Sequence, residues 1–185
     1  MSLLSLSKLP LSPEHGWPEL AKSRPGLPGV FALLVLPLSL LPPLMLYYAG
    51  THHPEVFPRE VSDRNWGAAA VVFFVAEMVT LALMGWLVRQ VAATNRLSID
   101  YHDAFLLAAI APVPMWLSSL ALFVPNLAFN VAVSLLATAV SCAIIYQGVE
   151  ALCRTREGVT AAAITQIVIG AGLIVWASLL VLALV

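Results

Sequence analysis

Long apolar stretches, broken by short polar ones, dominate the chain. Five are nearly continuous: residues 30–49, 67–92, 104–124, 127–147 and 159–185. Each can cross about 30 Å of hydrocarbon, which takes about 20 helical residues. An isolated strand in lipid would leave its backbone groups unpaired, so the pattern predicts helices. The unbroken runs also lack the alternation of a membrane barrel. The expected fold is all-α, with a cytoplasmic tail over residues 1–28 and one five-span membrane domain over residues 29–185. In the tail, Pro10, Pro13 and Pro18 interrupt any apolar run, so it does not read as a secretory signal. Its segment "HGWPELAKS" reads either as a short interfacial helix, with Trp17 and Leu20 dipping into the membrane, or as a loose tail.

Composition supports the membrane reading. Hydrophobic residues make up 61% of the 185 positions and charged ones 10%, against about 25% charged in soluble domains. The net charge of −1 gives no broad basic surface for nucleic acid. The nine basic residues are unevenly placed. Lys8, Lys22, Arg24, Arg89, Arg96, Arg154 and Arg156 fall on the tail side, and only Arg59 and Arg64 on the other. The positive-inside rule therefore puts the N-terminus in the cytoplasm and the C-terminus outside. Tyr47, Tyr48 and Trp66 are then expected at the outer interface, and Trp86 and Tyr146 at the inner one. Trp116 and Trp176 fall deeper and read as packing residues.

Candidate chemistry is sparse. The outer loop holds His52, His53, Glu55, Glu60 and Asp63, but prolines intervene and no metal-binding spacing is met. A solvated loop is the reading preferred there. Cys142 and Cys153 form no paired framework and read as free thiols. No nucleophile sits beside a histidine and an acid, and no glycine-rich phosphate loop appears. The expectation is a protein that is not an enzyme, with no cofactor and no metal.

The polar groups inside the spans stand out instead. Glu77 lies near the middle of "GAAAVVFFVAEMVTLALMGWLVRQ". An ionised carboxylate there is expensive, and no deep Lys or Arg is available to pair with it. Glu77 is therefore expected neutral, as a hydrogen-bond donor. Acceptors are expected where prolines release the carbonyl four residues earlier. Pro37, Pro42 and Pro43 release those of Leu33, Leu38 and Ser39, and Pro112 and Pro114 those of Ala108 and Ile110. Both spans should kink, and Glu77, Thr80 or Gln166 could supply the donors. Asp100 is positioned to cap the third helix. The fourth span carries Asn130, Ser134, Thr138, Cys142 and Tyr146 at four-residue spacing, one slowly drifting face. Ala162, Gln166 and Gly170 repeat the spacing in the fifth. Such stripes are read here as packing faces. For Glu77, structural hydrogen bonding is the preferred role, and a proton, ion or substrate pathway the alternative.

The cadence also has a family resemblance. The tail holds "PEHGW", a proline four residues before Trp17. Tyr101 leads into a third span carrying "APVP" and Trp116, and two closely spaced spans end the chain. In these features the chain resembles the Yip family of small polytopic membrane proteins, in particular its bacterial inner-membrane branch. The resemblance implies a five-span bundle with a cytoplasmic N-terminus. Eukaryotic members are linked to Rab GTPases and vesicle traffic, but their "DLYGP" motif is absent from this tail, and their "GY" element is missing near "LAAIAP". The bacterial branch implies location and fold without an activity. The functional expectation is a non-enzymatic membrane interaction or organising protein. Its partners would be the lipid bilayer, a membrane or peripheral protein, and another copy of itself. The alternative is a small transporter or channel with Glu77 and the proline-kinked first and third spans lining the path.

Overall fold

The computed structural model describes Trp17, Leu20 and residues 23–54, 64–95, 97, 99–152 and 158–184. These form helices, with no strand among the described residues. Five are long and apolar enough to cross a membrane. They are numbered here α1 (Leu27–His52), α2 (Trp66–Thr94), α3 (Tyr101–Phe123), α4 (Leu127–Leu152) and α5 (Gly158–Leu184). Most of each span points away from its neighbours: at most 39% of the residues in any spanning window are buried, and that maximum belongs to α3. Leu33, Val71, Leu83, Leu136 and Ile174 are among the exposed apolar residues. Surface of that kind is stable against lipid and not against water. The chain is an integral, multi-pass membrane protein.

The proline expectation holds for the backbone. α1 is not one regular helix. A π-helical turn over Phe31–Val35 is followed by Leu36–Ser39, a break at Leu40, and a fresh start at Leu41–His52. Pro37 and Pro42 occupy the second position of a restarted segment and Pro43 the third, all within a first turn. There the missing N–H has no partner to lose. α3 behaves likewise. Tyr101–Ile110 ends in a turn at Ala111 and Pro112, Val113–Ser118 restarts with Pro114 in its first turn, and a 3-10 turn over Ser119–Phe123 finishes the span.

α2 is the hub, packing against α3, α5 and α1. Gly85 faces Phe105 where α2 meets α3. The helix starts are locally encoded: the Asn65 side chain accepts from the Ala68 N–H to open α2, and Asn126 does the same for Phe129 in α4. The core runs from Val88, Leu107 and Ile110 to Ile144, Val149, Ile164 and Val168, and it takes in Trp17 and Leu20 from the tail. Trp17 is 1% exposed and rests against Gly148, where a side chain would collide with its ring.

Several placements differ from the expectation. Trp66, expected at the outer interface, is buried against Gly50, whereas Tyr47, Trp86 and Tyr146 are exposed on the surface of the bundle. Trp176 is exposed and does not pack in the core. Asp100 sits at the N-cap of α3, but its side chain makes no cap bond. On α5, Ala162 and Gln166 are exposed, and a Cβ on Gly170 would meet nothing, so that stripe is not a packing face. Ile164, Thr165 and Val168 are buried in its place, because α5 is rotated relative to the small-residue row. Glu55, Glu60, Asp63, Arg96 and Cys153 lie outside the described residues.

Candidate functional site

Glu77 is 8% exposed, on the inner side of α2. Its Oε1 accepts a hydrogen bond from the indole Nε1 of Trp116 on α3. The expected role as donor to proline-released carbonyls is therefore corrected: Glu77 is an acceptor, and its partner is a side chain. Trp116 can serve only as a donor, so a carboxyl oxygen completes it. Neither other candidate donor reaches those carbonyls. Thr80 donates to the backbone oxygen of Glu77, 2.9 Å away, and Gln166 is exposed. The second carboxyl oxygen, Oε2, is buried and has no hydrogen-bond partner among the described residues.

A half-open cavity of about 370 Å³ lies beside this pair. α2 contributes Glu77 and Thr80 to its wall, α3 contributes Pro112, Met115 and Trp116, and α1 reaches it with Pro42. From α4 come Asn130, Ser134, Thr138, Ser141 and Cys142, and Trp176 lies on the α5 side. The α4 stripe, expected as a packing face, thus lines a cavity over four of its five members; only Tyr146 points elsewhere. Pro114 and Gln166 are not on this wall. Thr138 ties the stripe to the pair: its hydroxyl donates to the Ser134 carbonyl at 2.8 Å and lies 3.4 Å from the Met115 sulfur, next to Trp116. Asn130 donates to the Val124 carbonyl at 3.0 Å and so closes the turn between α3 and α4. Ser141, also 8% exposed, has a hydroxyl without a partner among the described residues, and the rest of the wall is mainly apolar.

A second constellation joins the tail to one end of the bundle. Arg24 has φ 38°, the left-handed conformation common where a helical turn stops, and its N–H closes that turn on the Leu20 carbonyl at 3.1 Å. Its guanidinium donates to Asp100 at 2.8 Å and lies 3.7 Å from Asp103. That guanidinium holds the Asp100 carboxyl below its ordinary range. His102 bridges the same segments, with Nε2 2.8 Å from the Pro25 carbonyl and Nδ1 3.0 Å from Asp103. With Trp17 and Leu20 in the core, the end of the tail is docked. The Arg24 and Asp100 side chains remain more than half exposed on the rim. No group of three metal-ligating side chains occurs among the described residues.

The Glu77–Trp116 pairing was missed in the sequence because periodicity does not say how two helices rotate against each other. A usable signal existed: each is a mid-span group that needs one bond of complementary kind.

Comparison with curated proteins and with solved structures gave no match. A family model described as the Yip1 domain matches residues 8–179, nearly the whole chain, and this chain therefore belongs to the Yip1 domain family.

Proposed function

We propose that this Yip-family protein is a non-enzymatic interaction or organising protein of a bacterial inner membrane, working through the cytoplasmic end of its bundle. The observation that carries the reading is the docked tail. Arg24, Asp100, Asp103 and His102 bind tail and α3 into one surface, held from beneath by Trp17 and Leu20. A surface assembled in advance costs less ordering on binding than a loose arm. Its charges are mixed, with Glu150 and Arg89 exposed nearby in sequence to the same connections. Recognition of acidic lipid would want about four to eight clustered basic residues, so a protein partner suits it better. The seven-to-two distribution of basic residues supports placing this end inside.

The test is in-cell photocrosslinking from Glu150 and from Arg89. The expected result is an adduct of discrete mass with another membrane or peripheral protein, weakened by the charge reversal Asp100→Lys. Capture of lipid and copies of the same chain alone would contradict the reading.

A second reading, a small transporter, is favoured by one observation: Glu77, Pro42 and Pro112 line the same cavity. Broken helices around a mid-membrane polar group are a transporter habit. Solute or ion flux in reconstituted vesicles, abolished by Glu77→Gln with the fold intact, would establish it in place of the interaction reading.

A further inference from the structure

The cavity has a shape that neither reading above uses. Along α2 its wall runs from Phe73 to Val88, and along α4 from Asn130 to Ile145. At 1.5 Å per helical residue each run spans about 22 Å. A cavity of about 370 Å³ that reaches that far along both helices is long and narrow, as an extended hydrocarbon chain is. The space is a slot rather than a chamber. Its chemistry is asymmetric along α2. Glu77 stands one turn from the Phe73 end with Thr80 just beyond it, and the rest of the α2 wall, Leu81, Met84 and Val88, is apolar.

Three polar atoms on the wall lack partners among the described residues, the Glu77 Oε2, the Ser141 hydroxyl and the Asn130 Oδ1, and Glu77 and Ser141 are more than nine-tenths buried. A buried polar atom left unpaired costs about 1–3 kcal/mol, so each favours a ligand that completes it. A hydroxyl both donates and accepts, so it pairs with a carboxyl oxygen whether the acid is ionised or not. It also carries no charge into the hydrocarbon. We propose that the slot binds a single-chain amphiphile with a hydroxyl head, the head at Glu77 and the chain lying along α2 towards Val88. Occupancy of this kind requires neither flux nor a protein partner, so it stands or falls separately from both readings above.

Gly172 supplies a clean way to close the slot. It lies on the wall, and a Cβ built there meets nothing within 4 Å. Gly172→Leu therefore adds bulk at the wall from a Cβ that displaces no packed atom. The experiment uses the full chain in phosphatidylcholine nanodiscs, photolabelled with a diazirine-bearing dodecanol. The control probe is the matching diazirine-bearing dodecane, which lacks the hydroxyl. Adducts are expected on slot residues of α2 and α4, at about tenfold or more over the control probe. Unlabelled dodecanol should compete, although phosphatidylcholine is present in excess. Glu77→Gln, which still offers hydrogen-bonding groups, should keep labelling within about threefold, and Gly172→Leu should cut it by about tenfold or more. Equal labelling by both probes, no effect of Gly172→Leu, or adducts confined to the outward-facing Leu83 and Leu136 would each overturn the proposal.

Discussion

Replacing Trp116 by Phe removes one N–H and leaves both carboxyl oxygens of Glu77 without a protein partner among the described residues. Interhelical hydrogen bonds in membranes are worth about 0.6 kcal/mol on average and up to about 1.7. The upper part of that range is expected here, because the acid is 8% exposed and its other oxygen is already unpaired. The smaller phenyl ring also loses packing, so the single variant overstates the bond. A double-mutant cycle removes that error. The four chains are the parent, Trp116→Phe, Glu77→Leu and the double variant, each unfolded reversibly by titration with a denaturing detergent. Trp116→Phe should cost more in the parent than in the Glu77→Leu background, by about 1–1.7 kcal/mol. Glu77→Gln should stay within about 0.5 kcal/mol of the parent, since its amide oxygen still accepts from the indole. A coupling below about 0.3 kcal/mol, the error of additivity, would refute the pairing as an energetic link between α2 and α3.

Two further predictions concern how the tail is docked. Gly148→Ala puts a Cβ 2.5 Å from Leu107 Cδ1 and 2.8 Å from the Trp17 ring, and overpacking of that kind costs about 1–3 kcal/mol. It should expose the tail to a protease, whereas Gly85→Ala, whose nearest neighbour would be Phe105 Cα at 3.5 Å, should leave unfolding unchanged or slightly raised; equal effects would contradict the docking. Asp100 is held below its ordinary range by Arg24, so its contribution is present above the unfolded value of about 3.9 and lost as pH falls through the lower folded value. Protease protection of the tail should thus be flat from neutral pH to about pH 5 and fall only below about pH 4, and Arg24→Gln should remove that acid limb.

Much of this architecture was readable in the apolar runs. All five spans lie where those runs put them, because lipid demands length and continuity and little else. Their ends extend further, as at Leu27–His52 and Leu127–Leu152, since a helix continues past the hydrocarbon wherever nothing stops it. The prolines gave the breaks in α1 and α3 correctly, but not what satisfies the chain around them. The rotations were not readable. The α4 stripe faces a slot and the α5 stripe faces outward, yet both have the same spacing in sequence, and only contact with neighbouring helices distinguishes them. The pattern of the tail suits an interfacial helix and a loose segment equally. The burial of Trp17 depends on the missing side chain at Gly148, 131 positions away, a complementarity that no local pattern reports.

The proposed function requires a five-span bundle whose docked-tail end faces the cytoplasm. Cysteine accessibility in intact cells measures this directly. With Cys142 and Cys153 replaced by Ser, single cysteines are introduced at Thr51, at the far end of α1, and at Glu150, at the docked end of α4; both positions are exposed. A membrane-impermeant maleimide should label the Thr51→Cys chain in intact cells and the Glu150→Cys chain only after the cells are opened. Labelling of Glu150→Cys from outside, with Thr51→Cys protected, would invert the bundle and remove the surface on which the proposed function depends.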